Sequence, residues 1–509
     1  MTASGRSPSA TDLPQLVRRG TGIVFAAHVA TQAIALVTLA CLTRIVPPEA
    51  FGVVGVALPI VMLPRIAATL GFSTTVIQDA DGDDGLLSAL FWRTVVWSLL
   101  AAITSAIAGI LLTNLYELPL LALVAPALAL GTVLNAFSVV QLAVLERRLQ
   151  LQSAALIRLA AQSIASIAAI IAAWRGYGVW ALVLQQVGEM LVLAIGAWLF
   201  SPWRPGLLRF ALPAEARRFG GYFALSSLLF YLAQNVDKLL LAAWLGSSPR
   251  GQALVGMYAQ AYNLMTRPVF FVTTPLSSIM LPTLARTQHD PALFADWTER
   301  FYRLTALLLL PAGVGLCLVA PDLMPLLAPD WPESGAILAT LAPVILALGF
   351  INIAGSVLAA ARRSGVLCVA ALVQLIVLAQ AVWGGASFAA SDYQLTATAF
   401  DPALALYRQT LGAAAGVTCL SLLLVVPYTA VVFHLTGVPF VRFFRALRIA
   451  LPAAVAMGIG VYLVRQSLLT TTLPSHCRLA IEVAAGIVIY ALLTFTAWRA
   501  MLRSPTAAG

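Results

Sequence analysis

Arg65 and Arg267 each sit in the middle of an apolar run long enough to cross a bilayer, and Arg44 closes the run before Arg65. A cation among lipid tails costs roughly 3 kcal/mol or more, so such residues usually face water or a partner. A guanidinium presents a planar fork of donors that matches the oxygens of a phosphate or carboxylate. The chemistry open to these three arginines is therefore anion binding. The structural alternatives are a helix–helix ion pair or carbonyl clamp for Arg65 and Arg267, and an interfacial anchor for Arg44.

Asp237 and Lys238 lie side by side in a later apolar run, with Asn235 just before them. Neighbours on a helix point about 100° apart, so the two charges are not each other's natural partners. Asp237 can pair with Arg65 or Arg267, or exchange a proton during a reaction cycle. Gln260, Asn263 and Asn352 add amides that can bind sugar hydroxyls or hold helices together. Glu189 and Glu482 are further acids inside apolar runs; Glu482 lies near a run's end and is expected at the interface. Pro64 precedes Arg65 and Pro268 follows Arg267, which places a possible helix irregularity beside each arginine. Pro59, Pro126, Pro275, Pro311, Pro343 and Pro427 mark further pivots.

No catalytic pattern competes with binding. The sequence has no GxxxxGK[ST] phosphate loop, and His28, His289, His434 and His476 fall in separate segments without metal-ligand spacing. Neither a metal nor an organic cofactor is expected. Cys41, Cys317, Cys368, Cys419 and Cys477 make no CxxC pair, so they read as small buried hydrophobes. A membrane polymerase or ligase would need a sizeable outer loop bearing acids. The longest candidate, Gly384 to Pro402, offers only Asp392 and Asp401, with Tyr393 and Phe400 as possible sugar contacts. It reads as an exposed inserted loop. A shorter insertion, Ser247 to Gln252, lengthens an earlier turn.

These residues are embedded in a chain of 509 residues that is 61% hydrophobic and only 10% charged. A soluble surface needs about a quarter charged residues, so the chain is an all-α integral membrane protein. Fourteen spans are expected, at residues 22–46, 51–72, 86–112, 118–145, 153–174, 178–200, 220–245, 253–282, 301–320, 335–360, 366–386, 404–434, 447–465 and 479–500. With both termini in the cytoplasm, and residues near span ends counted with the side they adjoin, 20 of the 30 Lys and Arg fall on the inner side, six fall outside and four lie within spans. That bias fixes the orientation. The net charge of +10 then reflects topology and a grip on anionic headgroups. Basic residues spread over separate linkers form no nucleic-acid groove.

The first 20 residues carry no apolar core of a signal peptide and are expected to form a disordered cytoplasmic tail. A basic linker at 202–219 separates two runs that begin alike. Arg18-Arg19-Gly20 leads through one span to Phe51-Gly52-Val53-Val54-Gly55, and Arg217-Arg218-Phe219-Gly220 leads through one span to Leu254-Val255-Gly256-Met257-Tyr258. This repeat predicts six-helix bundles at 21–201 and 220–434 in the same orientation, with a cavity between halves, two further helices at 435–503 and a short tail at 504–509.

Four blocks carry a resemblance: Thr43 to Gln78 (TRIVPPEAFGVVGVALPIVMLPRIAATLGFSTTVIQ), Arg175 to Gln186, Gln234 to Gly246 and Val255 to Arg286. In this order and spacing they resemble bacterial polysaccharide flippases of the Wzx or WzxC-like type, in the multidrug and oligosaccharidyl-lipid exporter (MOP, MATE-like) superfamily. The resemblance implies a transporter of the bacterial inner membrane that moves undecaprenyl-diphosphate-linked oligosaccharide from the cytoplasmic to the outer leaflet. It also implies a polysaccharide polymerase and a chain-length regulator as partners. On that reading Arg65, Arg267 and Arg44 line a cationic cavity for the diphosphate. Asp237, Lys238, Asn235, Gln260, Asn263 and Asn352 then serve sugar contact or coupling. A cation-coupled drug or metabolite exporter is the alternative, and it predicts an acidic or apolar cavity.

Overall fold

The computed structural model describes residues 13–69, 84–148, 150–207, 225–361, 363–396, 401–469 and 473–503, and every regular element among them is a helix. The first six are α1 (Leu13–Ile45), α2 (Pro48–Thr69), α3 (Asp84–Tyr116), α4 (Leu121–Arg147), α5 (Leu151–Trp174) and α6 (Val179–Phe200). Next come α7 (Leu225–Ala233) and α8 (Val236–Leu245), joined at a 47° bend. They are followed by α9 (Pro249–Thr287), α10 (Pro291–Leu327), α11 (Ser334–Leu341) and α12 (Val344–Ala360). The chain ends with α13 (Ser364–Thr396), α14 (Pro402–Thr436), α15 (Val441–Leu469) and α16 (Ser475–Arg503). Twelve helices are long and apolar enough to cross a membrane, and counting α7–α8 and α11–α12 as one bent span each gives the expected 14.

Local sequence accounts for the helix ends. Ser248, Asp290 and Asp401 each sit just before a proline and accept hydrogen bonds from the following backbone N–H groups, opening α9, α10 and α14. Gly437 closes α14 in the left-handed conformation at φ 72°. Gly176 and Gly178, both at positive φ, turn the chain between α5 and α6.

The chain divides into two compact units. The first holds α1, the part of α2 from Ala57 onward and the helices up to α6. Within it α4 packs on α3 and α6, and α5 packs on α1 and α6. The second holds Pro48–Val56 and everything from Leu225. There α9 packs against α8, α10, α12 and α14, while α15 and α16 pack against each other and against α10. The aromatic core of this unit joins them: Tyr302 stacks on Phe350 at 5.8 Å and meets Phe433 and Phe443 edge-on.

The repeated glycines have a packing reason. A Cβ on Gly52 would lie 2.2 Å from the Gln252 carbonyl oxygen, and one on Gly256 would lie 2.1 Å from that of Pro48. Both positions therefore require glycine where the start of α2 crosses α9 backbone to backbone. Phe51 seals the crossing edge-on against the buried Trp331 at 5.0 Å.

Several expectations need correction. The inserted loop at 384–402 is mostly helix, because α13 runs on to Thr396. Gly385, which looks like a loop former in the sequence, is a contact point: a Cβ there would meet the Gly412 carbonyl oxygen of α14 at 2.1 Å, and a Cβ on Gly416 of α14 would meet that of Ala381 at 2.1 Å. Likewise Pro249 to Gln252 form the first turn of α9, leaving a tight connection after α8. The cysteines are not buried; Cys419 is exposed and the other four are half-buried. Glu482 lies near the start of α16, the span end where it was expected, and is 2% exposed. Leu13 to Gly20 open α1, while residues 1–12 of the expected tail and most of the 202–219 linker lie outside the described residues.

Candidate functional site

In the first unit, the second half of α2 positions Arg65 one residue after Pro64, half-buried. Its Nη2 lies 3.5 Å from the Met190 sulfur on α6, and Nη1 lies 3.7 Å from that of Met62 one turn back. Thioethers are weak acceptors, so these contacts orient the guanidinium without neutralising it. Glu189, the residue before Met190, interacts electrostatically with Arg65. Arg44 is exposed in the last turn of α1.

In the second unit, α9 carries two different faces. Gln260, Asn263 and Arg267 fall at i, i+3 and i+7, within one narrow sector of the helix. Asn263 is exposed and the other two are half-buried; Thr274 and Ser278, also exposed, continue the same face past the aromatic pair Phe270 and Phe271. A helix side turned to lipid would be apolar throughout. Over the roughly five turns from Gln260 to Ser278 this side carries five polar residues, interrupted by the exposed rings of Phe270 and Phe271, so it is not apolar throughout. Asn352 on α12 is half-buried, and the turn after it ties α12 to α9 through the Ser356 and Ser277 hydroxyls 3.2 Å apart.

The opposite face of α9 presents Tyr258 and Tyr262, both buried. The Tyr258 hydroxyl donates to Asp237 Oδ2 at 2.9 Å, and Asp237 Oδ1 accepts from the Lys238 backbone N–H at 2.8 Å. The Lys238 ammonium donates to Asn235 Oδ1 at 2.9 Å and sits 4.2 Å over the Tyr262 ring. An enclosed cavity of about 10 Å³ adjoins this cluster, lined by Asp237, Tyr262, Gln374 and Ser421 among apolar groups.

The expected polar residues thus separate into distinct places. Asn235, Asp237 and Lys238 come together inside the second unit, whereas Gln260, Asn263 and Arg267 share the other side of α9. Sequence reasoning missed Tyr258, Tyr262, Gln374 and Met190. The tyrosines were legible as an i, i+4 pair in GMYAQAYN, facing away from Gln260 and Asn263. Gln374 was a further amide inside a span, and Met190 carried no signal. Among the described residues no group of three or more His, Cys, Asp or Glu is gathered closely enough to hold a metal ion.

Comparison with known proteins places this arrangement. The profile of the polysaccharide biosynthesis protein family matches residues 41–334, which include α2, α6, α8 and α9. The chain belongs to this family. Similar proteins include the succinoglycan biosynthesis transport protein ExoT of Rhizobium meliloti (strain 1021), 23% identical over 64% of this chain and 65% of that protein. The lipopolysaccharide biosynthesis protein WzxC of Escherichia coli (strain K12) is 25% identical over 64% of this chain and 66% of its own length. The matched region thus spans just under two thirds of these curated relatives. Among solved structures, the lipid II flippase MurJ in an inward closed conformation superposes with a TM-score of 0.61 at 14% identity, covering 94% of this chain and 99% of that one. An inward-facing multidrug resistance MATE transporter gives 0.59 at 14% identity, over 80% and 96%. These matches establish the fold, and the family's polysaccharide role frames the site.

Proposed function

We propose that this protein is a flippase that carries an undecaprenyl-diphosphate-linked oligosaccharide from the cytoplasmic to the outer leaflet of the bacterial inner membrane. It works by alternating access, with both termini cytoplasmic and a polymerase and chain-length regulator acting downstream. The observation that supports this most directly is the polar face of α9, where Arg267 stands in line with Gln260 and Asn263 inside a chain of the polysaccharide biosynthesis family. A guanidinium flanked by amides has the donors for a diphosphate and its first sugar. Arg65 beside Pro64 in the first unit is assigned the same ligand, and Arg44 at the end of α1 assists at the interface. An exporter of cationic drugs would be served by carboxylates at these positions instead.

The test is flipping of a fluorescent undecaprenyl-diphosphate oligosaccharide in proteoliposomes, read by the fraction of headgroup accessible to a membrane-impermeant quencher. Wild-type protein should equilibrate the label between leaflets. Arg65→Ala and Arg267→Ala should each lose flipping at wild-type levels of reconstituted protein. Wild-type flipping in both variants would remove the diphosphate assignment, and wild-type protein that moves a cationic dye but not the lipid would remove the flippase reading.

A further inference from the structure

The first turns of α15 carry three arginines spaced by three, Arg442, Arg445 and Arg448. Two acids on α10 meet the first two. Arg442 pairs with Asp296 and lies 3.6 Å from Glu299, while Arg445 lies 3.7 Å from Glu299, which also binds Arg303. Arg448 has no acidic partner among the described residues. Four cations thus stand against two anions where α15 begins its contact with α10. Arg445 and Arg448 are both exposed. Like charges one turn apart on a helix repel, so this pair is stabilised by an anion between its guanidinium groups.

Arg448 is also in register with an apolar groove. Phe444, Arg448, Leu451 and Val455 fall at i, i+4, i+7 and i+11 and are all exposed, so they form one stripe turned to lipid. From Val455 the stripe enters a groove of about 350 Å³ walled by Val314 and Cys317 of α10, Leu346 of α12 and Gly458 and Ile459 of α15. Gly458 lets the two helices approach, since a Cβ there would stand 2.9 Å from a Val314 methyl. The seven residues from Arg448 to Val455 cover about 10 Å of helix. One leaflet's chains span roughly 15 Å, half of the hydrocarbon core.

We infer that the α10–α15 junction holds one anionic phospholipid: its phosphate lies between Arg445 and Arg448, and one acyl chain follows Leu451 into the groove from Val455 onward. The guanidinium forks match phosphate oxygens, and a basic pocket between membrane helices suits a lipid headgroup. The exposed, apolar mouth of the groove at Val455 and Ile459 suits a hydrocarbon chain. From Phe444 to Ile459, α15 has no amide or hydroxyl side chain with which to bind a sugar. The lipid is therefore a bilayer component that completes the docking of α15 on α10, distinct from a glycosylated cargo. The inference concerns the second unit alone.

The experiment uses delipidated full-length protein in detergent. It reads lipid adducts by native mass spectrometry and the melting midpoint with dioleoyl-phosphatidylglycerol, dioleoyl-phosphatidylcholine or dihexanoyl-phosphatidylglycerol. Wild-type protein should take up one dioleoyl-phosphatidylglycerol per chain and melt higher with it, at an affinity about tenfold or more above that for the choline lipid. The dihexanoyl lipid has the head without the reach, and should need about tenfold more for the same rise. Arg445→Gln with Arg448→Gln should bind the two dioleoyl lipids alike, and Val455→Trp should erase the advantage of the long chain. Arg300→Gln removes a cation stacked 5.1 Å over Trp297 on α10, and should leave binding unchanged. Should the double variant fail to fold, Arg448→Gln decides, because it breaks no ion pair: loss of the glycerol-lipid preference upholds the site and full retention overturns it. Equal wild-type affinity for both dioleoyl lipids would also overturn it. So would a loss in Arg300→Gln as large as in the double variant, the mark of a diffuse basic field. Displacement of phosphatidylglycerol by an equal concentration of undecaprenyl diphosphate would give the site to cargo instead. Flipping is not part of the readout, so a failed flippase assignment leaves these outcomes unchanged.

Discussion

The arginines in the two units differ in their surroundings, and the difference can be measured. Arg65 lies within reach of Met190 and under the field of Glu189, so removing it leaves an acid in a span without its local cation. We expect Arg65→Ala to lower stability by on the order of 1–2 kcal/mol, between the values for exposed and buried pairs. Glu189→Gln should restore the melting midpoint without restoring flipping. Arg267→Ala should reduce flipping about tenfold or more at equal amounts of folded protein, the equivalent of one lost charge-assisted hydrogen bond. Arg267→Lys should recover part of the rate, since it keeps the charge and loses the fork. From sequence alone both arginines stood out as charges within apolar runs. Asp237 was offered as a partner for them, but its carboxylate is engaged by Tyr258, a pairing set by the bend at Asn235 that no proline announces.

At the level of helices, hydropathy found every span because burial of apolar surface in lipid sets both length and composition, but α10 begins at Pro291 and α13 ends at Thr396, each about ten residues beyond the expected span. It misjudged the region after Gly384, where small residues serve close packing and not a loop. The end of α13 is further tied down by the buried Tyr393, whose hydroxyl accepts from the Asp401 N–H at 2.8 Å. Gly412→Leu, placed where even a Cβ would come 2.3 Å from the Gly385 carbonyl oxygen, should separate α13 from α14 and cost about 3 kcal/mol or more. Thermal unfolding in detergent reads it directly. Tyr393→Phe keeps the ring but removes the hydroxyl that accepts from the Asp401 N–H and donates to the Asp401 carbonyl, and should cost about 1–2 kcal/mol with no effect on sugar selectivity.

For the molecule as a whole, the apolar runs foretold 14 spans, but nothing in the sequence foretold that α15 and α16 would gather on α10. That docking is held by ion pairs at both ends of α15: Arg442 with Asp296 and Glu299, and Arg465 with Asp322 at 2.8 Å. Glu299, its side chain 7% exposed, also contacts Arg303 and Arg445. Glu299→Ala should therefore loosen the C-terminal pair, raising protease cleavage after Gly437 while α1 to α6 stay resistant. Orientation is open to the same kind of check. A single cysteine at Glu215→Cys should react with a membrane-impermeant maleimide only in inverted vesicles, and labelling in intact cells would reverse the assigned sides.

The hairpin of α9 and α10 is far longer than a bilayer requires. At 39 and 37 residues, with a rise of 1.5 Å per residue, each helix extends for about 55 Å or more, against a hydrocarbon core of about 30 Å. Its exposed tip, Gln288 to Leu293, is clamped by the Asp290 side chain on the N–H groups of Ala292 and Leu293, and Phe294 and Leu284 are buried just beneath it. A tip that is both exposed and internally braced is an attachment point for a rigid soluble domain. Fusion there would supply the asymmetric mass by which a small, featureless membrane particle can be oriented in electron-microscope images.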